Sequence, residues 1–222
     1  MIKRLCLLAL SLFLALKAEA QESATSSQIE TAEETSTPVG WKEFCQNYSS
    51  ECDLQDRTPV VARLSPAQIA KLQRINKQAN SMVKPTTDQD HWGFQEQWNL
   101  PTHLDPRADC EDIALLKKKM LEKAGFPRSA LLLAVVKQTN GERHVVLVVK
   151  TDTKDLILDN LTDDIDDYTK VAFERENRYE FIKMQADYNE NLWLRVASSN
   201  EPAPASESES FAERLRGTFT AR

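Results

Sequence analysis

Glycine is scarce in this chain, 5 residues in 222, and proline supplies only 9. That excludes collagen-like and Gly/Pro-rich low-complexity chains. Cysteine is limited to four residues, so a Cys₄ zinc site does not survive the loss of even one to processing or catalysis. An excess of positive charge is also missing: 28 Lys and Arg face 34 Asp and Glu, a net charge of −6. Nucleic acid, whose phosphates repel such a chain, is a poor partner. No apolar run approaches the ~20 residues of a membrane-spanning helix, and no internal repeat is visible. What is present is 41% hydrophobic and 28% charged residues. That is enough for one globular domain, too little for two comfortable ones, and not the composition of a disordered polymer.

The chain opens on an address. Lys3 and Arg4 precede an apolar stretch from Leu5 to Leu16, and Ala18-Glu19-Ala20 follows as a small-x-small cleavage pattern. Residues 1–20 read as a secretory signal peptide, which places the mature protein in the periplasm. Residues 21–40, rich in Ser, Thr, Glu and Ala, read as a disordered leader, and 197–222 as a disordered acidic tail. The folded domain is expected over 41–196.

Cys6 leaves with the signal. Cys45 and Cys52 bracket CQNYSSEC, a polar stretch able to form a compact loop. Exported compartments oxidise thiols, so these two are paired as a disulfide. Cys110 is the odd one out and becomes a candidate reactive thiol.

Ser65-Pro66-Ala67-Gln68 is a helix start with N-cap, first-position proline and capping box. Ile69, Leu72, Ile75, Ala79 and Met82 continue at spacings of three and four, predicting a helix over roughly 66–83. A second helix starts at Asp109 or Cys110 and is stopped by Gly125 and Pro127. The period then changes. ALLLAVVK (130–137), HVVLVVK (144–150), DLILD (155–159), 178–185 and 192–196 read as strands, the first two joined through Asn140-Gly141. A helical first half packed on an antiparallel sheet is an α+β arrangement.

Cys110 thus opens a helix, where unpaired amides favour a thiolate and can hold an oxyanion. His144 opens one strand and Asp159 closes the next. Counting from the intervening turn places the two opposite each other, the arrangement of nucleophile, base and orienter. Trp92 and Trp98 are expected as core or cleft walls. An indole N–H, that of Trp92 by preference, is a second oxyanion donor beside the Cys110 amide. Asp109, Glu111 and Asp112 crowd the thiol and oppose its ionisation. Two accounts stand open: solvated first-turn acids, which the residues alone favour, or ligands of a hard cation such as Ca²⁺. The Lys117-Lys118-Lys119 run reads as a solvated face. Asp163, Asp164, Asp166 and Asp167 read as a solvated loop, and His91 and His103 as loop residues.

GWKEFC, DHWGFQEQW, DCEDIALLKK, GERH and LDN, in this order and spacing, resemble the bacterial transglutaminase-like cysteine proteinases of the LapG type. The resemblance covers about 41–196. It implies a papain-like α+β fold with Cys110 as nucleophile, His144 as general base and Asp159 as orienting acid. It also implies calcium on Asp109 and Glu111, with Asp112 as a further ligand, reversing the solvated-acid preference. Expected partners are an envelope or surface protein as substrate, in the best-known role a large biofilm adhesin, and an inner-membrane receptor. No nucleic acid is expected, and the chain is expected as a monomer. The rival readings are an acyltransferase that resolves the same acyl-enzyme with an amine, and a binding module carrying a relic triad.

Overall fold

The computed structural model describes residues 27–52, 58–173 and 178–197. The signal-peptide reading, the leader as far as residue 26 and the tail from 198 lie outside the described residues. In chain order the elements are β1 (Thr31–Thr35), α1 (Val39–Asn47), α2 (Pro66–Met82), β2 (Lys84–Pro85), α3 (Asp88–Trp92), β3 (Arg107–Ala108), α4 (Cys110–Lys123), β4 (Leu131–Gln138), β5 (Arg143–Val149), β6 (Leu156–Leu158), β7 (Asp166–Asp167), α5 (Tyr168–Ala172), β8 (Tyr179–Ala186) and β9 (Asn189–Val196).

Seven strands form one antiparallel sheet in the order β1-β9-β8-β4-β5-β6-β7. Side chains alternate across its central strands. Leu131, Leu133, Val135, Val145, Leu147 and Val149 join the core under α1, α2 and α4. Leu132, Ala134, Val136, Val146 and Val148 face the other core, closed by Tyr168 and Val171 of α5. Because β4 and β5 bury both faces, they read as unbroken apolar runs. The turn between them needs Gly141 at φ +91°, open to glycine without a Cβ penalty.

The helices start where local chemistry directs. Ser65 caps α2 and closes the capping box with Gln68. Its inner face is Leu72, Ile75, Asn76 and Ala79; Ile69 and Met82 are exposed instead. Cys45, in the last turns of α1, is bonded to Cys52 across a Cα–Cα distance of 5.5 Å. Closing so short a loop stabilises the fold by roughly 2–3 kcal/mol.

Three expectations are corrected. The stretch 27–40 is not a disordered leader. Thr31–Thr35 is an edge strand on β9, and Ile29 is buried, its N–H donating to Asp155 Oδ2 at 2.7 Å. An edge strand draws its energy from backbone pairing and one apolar anchor, so a Ser/Thr/Glu-rich composition conceals it. Nor is the acidic run near 163–167 merely solvated. Asp166 is buried and pairs with Lys170 and Arg178, and Asp167 caps α5.

Lys117 and Lys118 are also buried, not a solvated face. Lys118 donates to Glu190 at 2.9 Å, and Arg128 meets the same carboxylate. Lys117 packs inward near Asp159 and Asp163, whose charges favour its proton, yet burial dominates and pulls it down to about 7 from 10.5. The sign follows: below pH 7 the folded state carries a buried charge, and the penalty fades as pH rises from 7 to 10.5. Lys117→Met, similar in volume, is expected to raise the free energy of unfolding at pH 6 by a few kcal/mol. The gain shrinks toward zero near pH 10. Urea unfolding at the two pH values checks this; equal stability of wild type and variant at pH 6 refutes it.

Candidate active site

His144 is the second residue of β5, and Asp159 follows the last residue of β6. Both are buried, and His144 Nε2 lies 2.9 Å from Asp159 Oδ1. The register differs from the expected one by two. Leu147 pairs with Leu158 and Val149 with Leu156, so the ladder aligns Asp159 with Val146. A shift of two residues keeps every side chain on its face. The histidine and aspartate therefore meet along a diagonal rather than directly across. The Tyr179 hydroxyl donates to Asp159 Oδ2, the Leu161 N–H donates to Oδ1 at 3.1 Å, and the tyrosine ring stacks on the imidazole. Burial raises the Asp159 carboxyl, but the His144 hydrogen bond and charge, with the tyrosine and the amide, outweigh it and hold it below the usual range. An ionised Asp159 accepts the Nε2–H, which leaves Nδ1 as the basic nitrogen.

Cys110 is the first residue of the 14-residue helix α4, and its thiol is free and half-buried. Cys110 and His144 line one cavity of about 330 Å³. The Cys110 thiol donates to Glu111 Oε2 at 2.9 Å. Burial pushes the thiol well up, Glu111 adds charge repulsion and a hydrogen bond to the protonated form, and a Val145 N–H works the other way. Of the three acids, Glu111 and then Asp109 oppose ionisation.

The acid cluster is partly rearranged. Oxygens of Asp88, Asp109 and Glu111 all lie within 4.8 Å of one another. Asp112 points elsewhere, accepting the Asn99 N–H at 2.6 Å. Asp88 is absent from the sequence reading because its local role is unremarkable: it opens α3 behind the Thr87 cap. Strand β2 lies parallel to β3, with Pro85 beside Ala108. Each short strand runs into a helix, so the starts of α3 and α4 become neighbours. Burial, then the charges of Glu111 and Asp88, push Asp109 up to about 8. Burial and Asp109 push Asp112 to about 9. Among the described residues, Asp109 Oδ1 is buried with no hydrogen-bond partner. Clustered, desolvated and under-partnered carboxylate oxygens fit a hard divalent cation.

The second oxyanion donor is corrected. Trp92 is 39% exposed and stacks on His91, away from the cavity. Trp98 is the buried tryptophan on its wall. Its indole N–H donates to Glu96 Oε1 at 2.7 Å, so it is not a spare donor. Trp98 fits there because residue 40 is glycine: a Cβ would come within 2.2 Å of the indole Cδ1. His91 meets Asp105 at 2.9 Å, while His103 is exposed; the structure does not bring the two histidines together as ligands.

A family model described as bacterial transglutaminase-like cysteine proteinase (BTLCP) matches residues 31–201. No curated protein matches. Among solved structures, calcium-bound Legionella pneumophila LapG is 21% identical, covering 81% of this chain and 93% of that one with a TM-score of 0.48. The EGTA-treated form is 20% identical over 69% of this chain and 81% of that one, with a TM-score of 0.46. The family match takes in every described helix and strand, from β1 to β9. The chain belongs to the bacterial transglutaminase-like cysteine proteinase family and is by class a cysteine peptidase.

Proposed function

We propose that this protein is a periplasmic, calcium-dependent cysteine endopeptidase acting through Cys110, His144 and Asp159. The observation that carries the reading is the buried His144–Asp159 hydrogen bond at 2.9 Å, on the wall of a cavity that Cys110 shares. With Nε2–H committed to Asp159, Nδ1 takes the thiol proton. The sulfur then attacks a peptide carbonyl, and negative charge passes to the carbonyl oxygen, where the amide at the start of α4 donates to it. His144 returns the proton to the leaving amine and next takes one from water. That water hydrolyses the thioester and frees Cys110. Asp159 holds the ring and stabilises the imidazolium throughout.

The calcium reading rests on Asp88, Asp109 and Glu111, with Asp112 outside the set. A bound cation would neutralise these carboxylates and compete with the thiol for Glu111. Export is supported by the signal-like N-terminus and by the Cys45–Cys52 disulfide, a bond that oxidising compartments retain. Among the described residues no helix is long and apolar enough to cross a membrane. By resemblance, the substrate is an envelope or surface protein of the adhesin type, and an inner-membrane receptor regulates access. Product mass tests the reaction: incubation of envelope proteins with the enzyme in H₂¹⁸O is expected to give shorter chains carrying one ¹⁸O at the new carboxyl terminus. Joined chains without ¹⁸O would mean acyl transfer instead.

A further inference from the structure

The cavity is lined by charges of both signs, and only the acids are explained by the chemistry above. Glu111 acts on the Cys110 thiol and is itself repelled by Glu96; Arg143, which precedes His144, and Lys183 are the cations of the lining. Both cations belong to the central strands. Lys183 of β8 and Val145 of β5 each pair with Val135 of β4. Arg143 stands two residues before Val145 on the same face.

The two cations differ in their commitments. The Lys183 ammonium donates to the Ser36 carbonyl at 2.7 Å and to its hydroxyl at 3.3 Å. It is fixed, but neither partner carries a charge. Arg143 is exposed, and among the described residues its guanidinium has no ion pair or side-chain hydrogen bond. The nearest acid along the ladder, Glu180, pairs with Lys137 at 3.5 Å. Burial and then the charge of Arg143 lower the Lys183 pKa, so the two cations repel each other. An arriving anion relieves that repulsion and meets a guanidinium fork suited to a carboxylate.

We propose that Arg143 and Lys183 form a carboxylate-binding subsite, which makes the enzyme select peptides bearing an acidic group beside the scissile bond. The inference rests on the peptidase reading and names its substrate class. The acids around Cys110 sharpen the choice, because a carboxylate seated beside Glu96 or Glu111 instead meets like charge. The carboxylate has two possible sources, a Glu or Asp side chain within the chain or a free C-terminus.

The test is a synthetic peptide library with Glu, Gln and Lys varied at each position around the cut. It is prepared once with C-terminal amides and once with free acids, and cleaved by the full mature protein in Ca²⁺. Preference for Glu over Gln by about tenfold in kcat/KM within the amide set identifies a side-chain carboxylate. Preference for free acids over amides identifies the terminus. In either case Arg143→Gln and Lys183→Gln must each shrink the preference, and Arg143→Glu must turn it toward Lys. A ratio between matched peptides is blind to general damage, which slows both alike. Cleavage with no acid preference, or a preference that survives all three substitutions, overturns the subsite and leaves the peptidase reading standing. No cleavage of any member, or cleavage retained by Cys110→Ala, overturns the peptidase reading and the subsite with it.

Discussion

Cys110→Ala is expected to abolish peptide hydrolysis while the protein keeps its fold. The substitution removes one sulfur from a half-buried position at the start of α4. The Glu111 carboxylate loses a single donor, and alanine is the residue best suited to a helix. The stability change should stay within about 1 kcal/mol. The chemical loss is of another order. Without the sulfur no acyl-enzyme forms, and His144 has no thiol to deprotonate, so the residual rate should lie at least ~10⁴-fold below wild type. Circular dichroism with thermal unfolding reads the first quantity and a peptide cleavage assay the second. A purified Cys110→Ala protein that still cleaves at more than a few per cent of the wild-type rate would remove the nucleophile from the mechanism, whatever its fold.

Chelation is the second large effect. EGTA should silence the enzyme, excess Ca²⁺ should restore it, and Mg²⁺ should restore it poorly because it demands a tight octahedron and sheds water reluctantly. Asp88→Asn should reproduce the EGTA state with Cys110 intact, although residue 88 lies far from the thiol in sequence. The pH dependence has a definite sign. Burial, then Glu111 and Asp88, hold Asp109 at about 8 against its ordinary 3.8, and burial raises Glu111 as well. Without a cation these groups favour folding most when protonated. The Asp109 contribution is complete below its ordinary pKa and is lost as pH rises through about 8. Ca²⁺ displaces those protons, so its apparent affinity should climb about tenfold per pH unit for each proton displaced between pH 6 and 8. The thermal shift caused by Ca²⁺ should grow over the same interval. Full activity in EGTA, or a Ca²⁺-induced shift that does not change with pH, would return the three carboxylates to a purely structural role.

The sequence by itself determined whatever depends on neighbours along the chain. Ser65 to Gln68 encodes a helix start because cap and box lie within one turn. Asp109-Cys110 encodes another, and with it a free thiol at a helix N-terminus. Strands β4 and β5 were legible from continuous apolar runs and the Asn-Gly turn between them. The Cys45–Cys52 bond was legible from a spacing of seven. The histidine–aspartate pair was legible to within its register, because period-two alternation preserves the face even when the count is off by two.

Only the tertiary structure decided which distant residues meet. Asp88 joins Asp109 and Glu111 because β2 and β3 run side by side, a pairing of two-residue strands with no compositional signature. Trp98 rather than Trp92 reaches the cavity wall because α1 leaves room for an indole at Gly40. Lys117 and Lys118 look solvated in a triple-lysine run. They are buried because α4 lies between α2 and the sheet, and Glu190 arrives from β9 to pair with Lys118. Thr31–Thr35 resembles a loose leader until β9 supplies the edge it pairs with. Arg143 and Lys183 come to line one cavity only when Val135 aligns their strands. Caps, turns and periodicity are local free-energy terms written over a few residues. Charge clusters and cavity walls arise from packing between elements, and their members carry no mark of it in their own neighbourhoods.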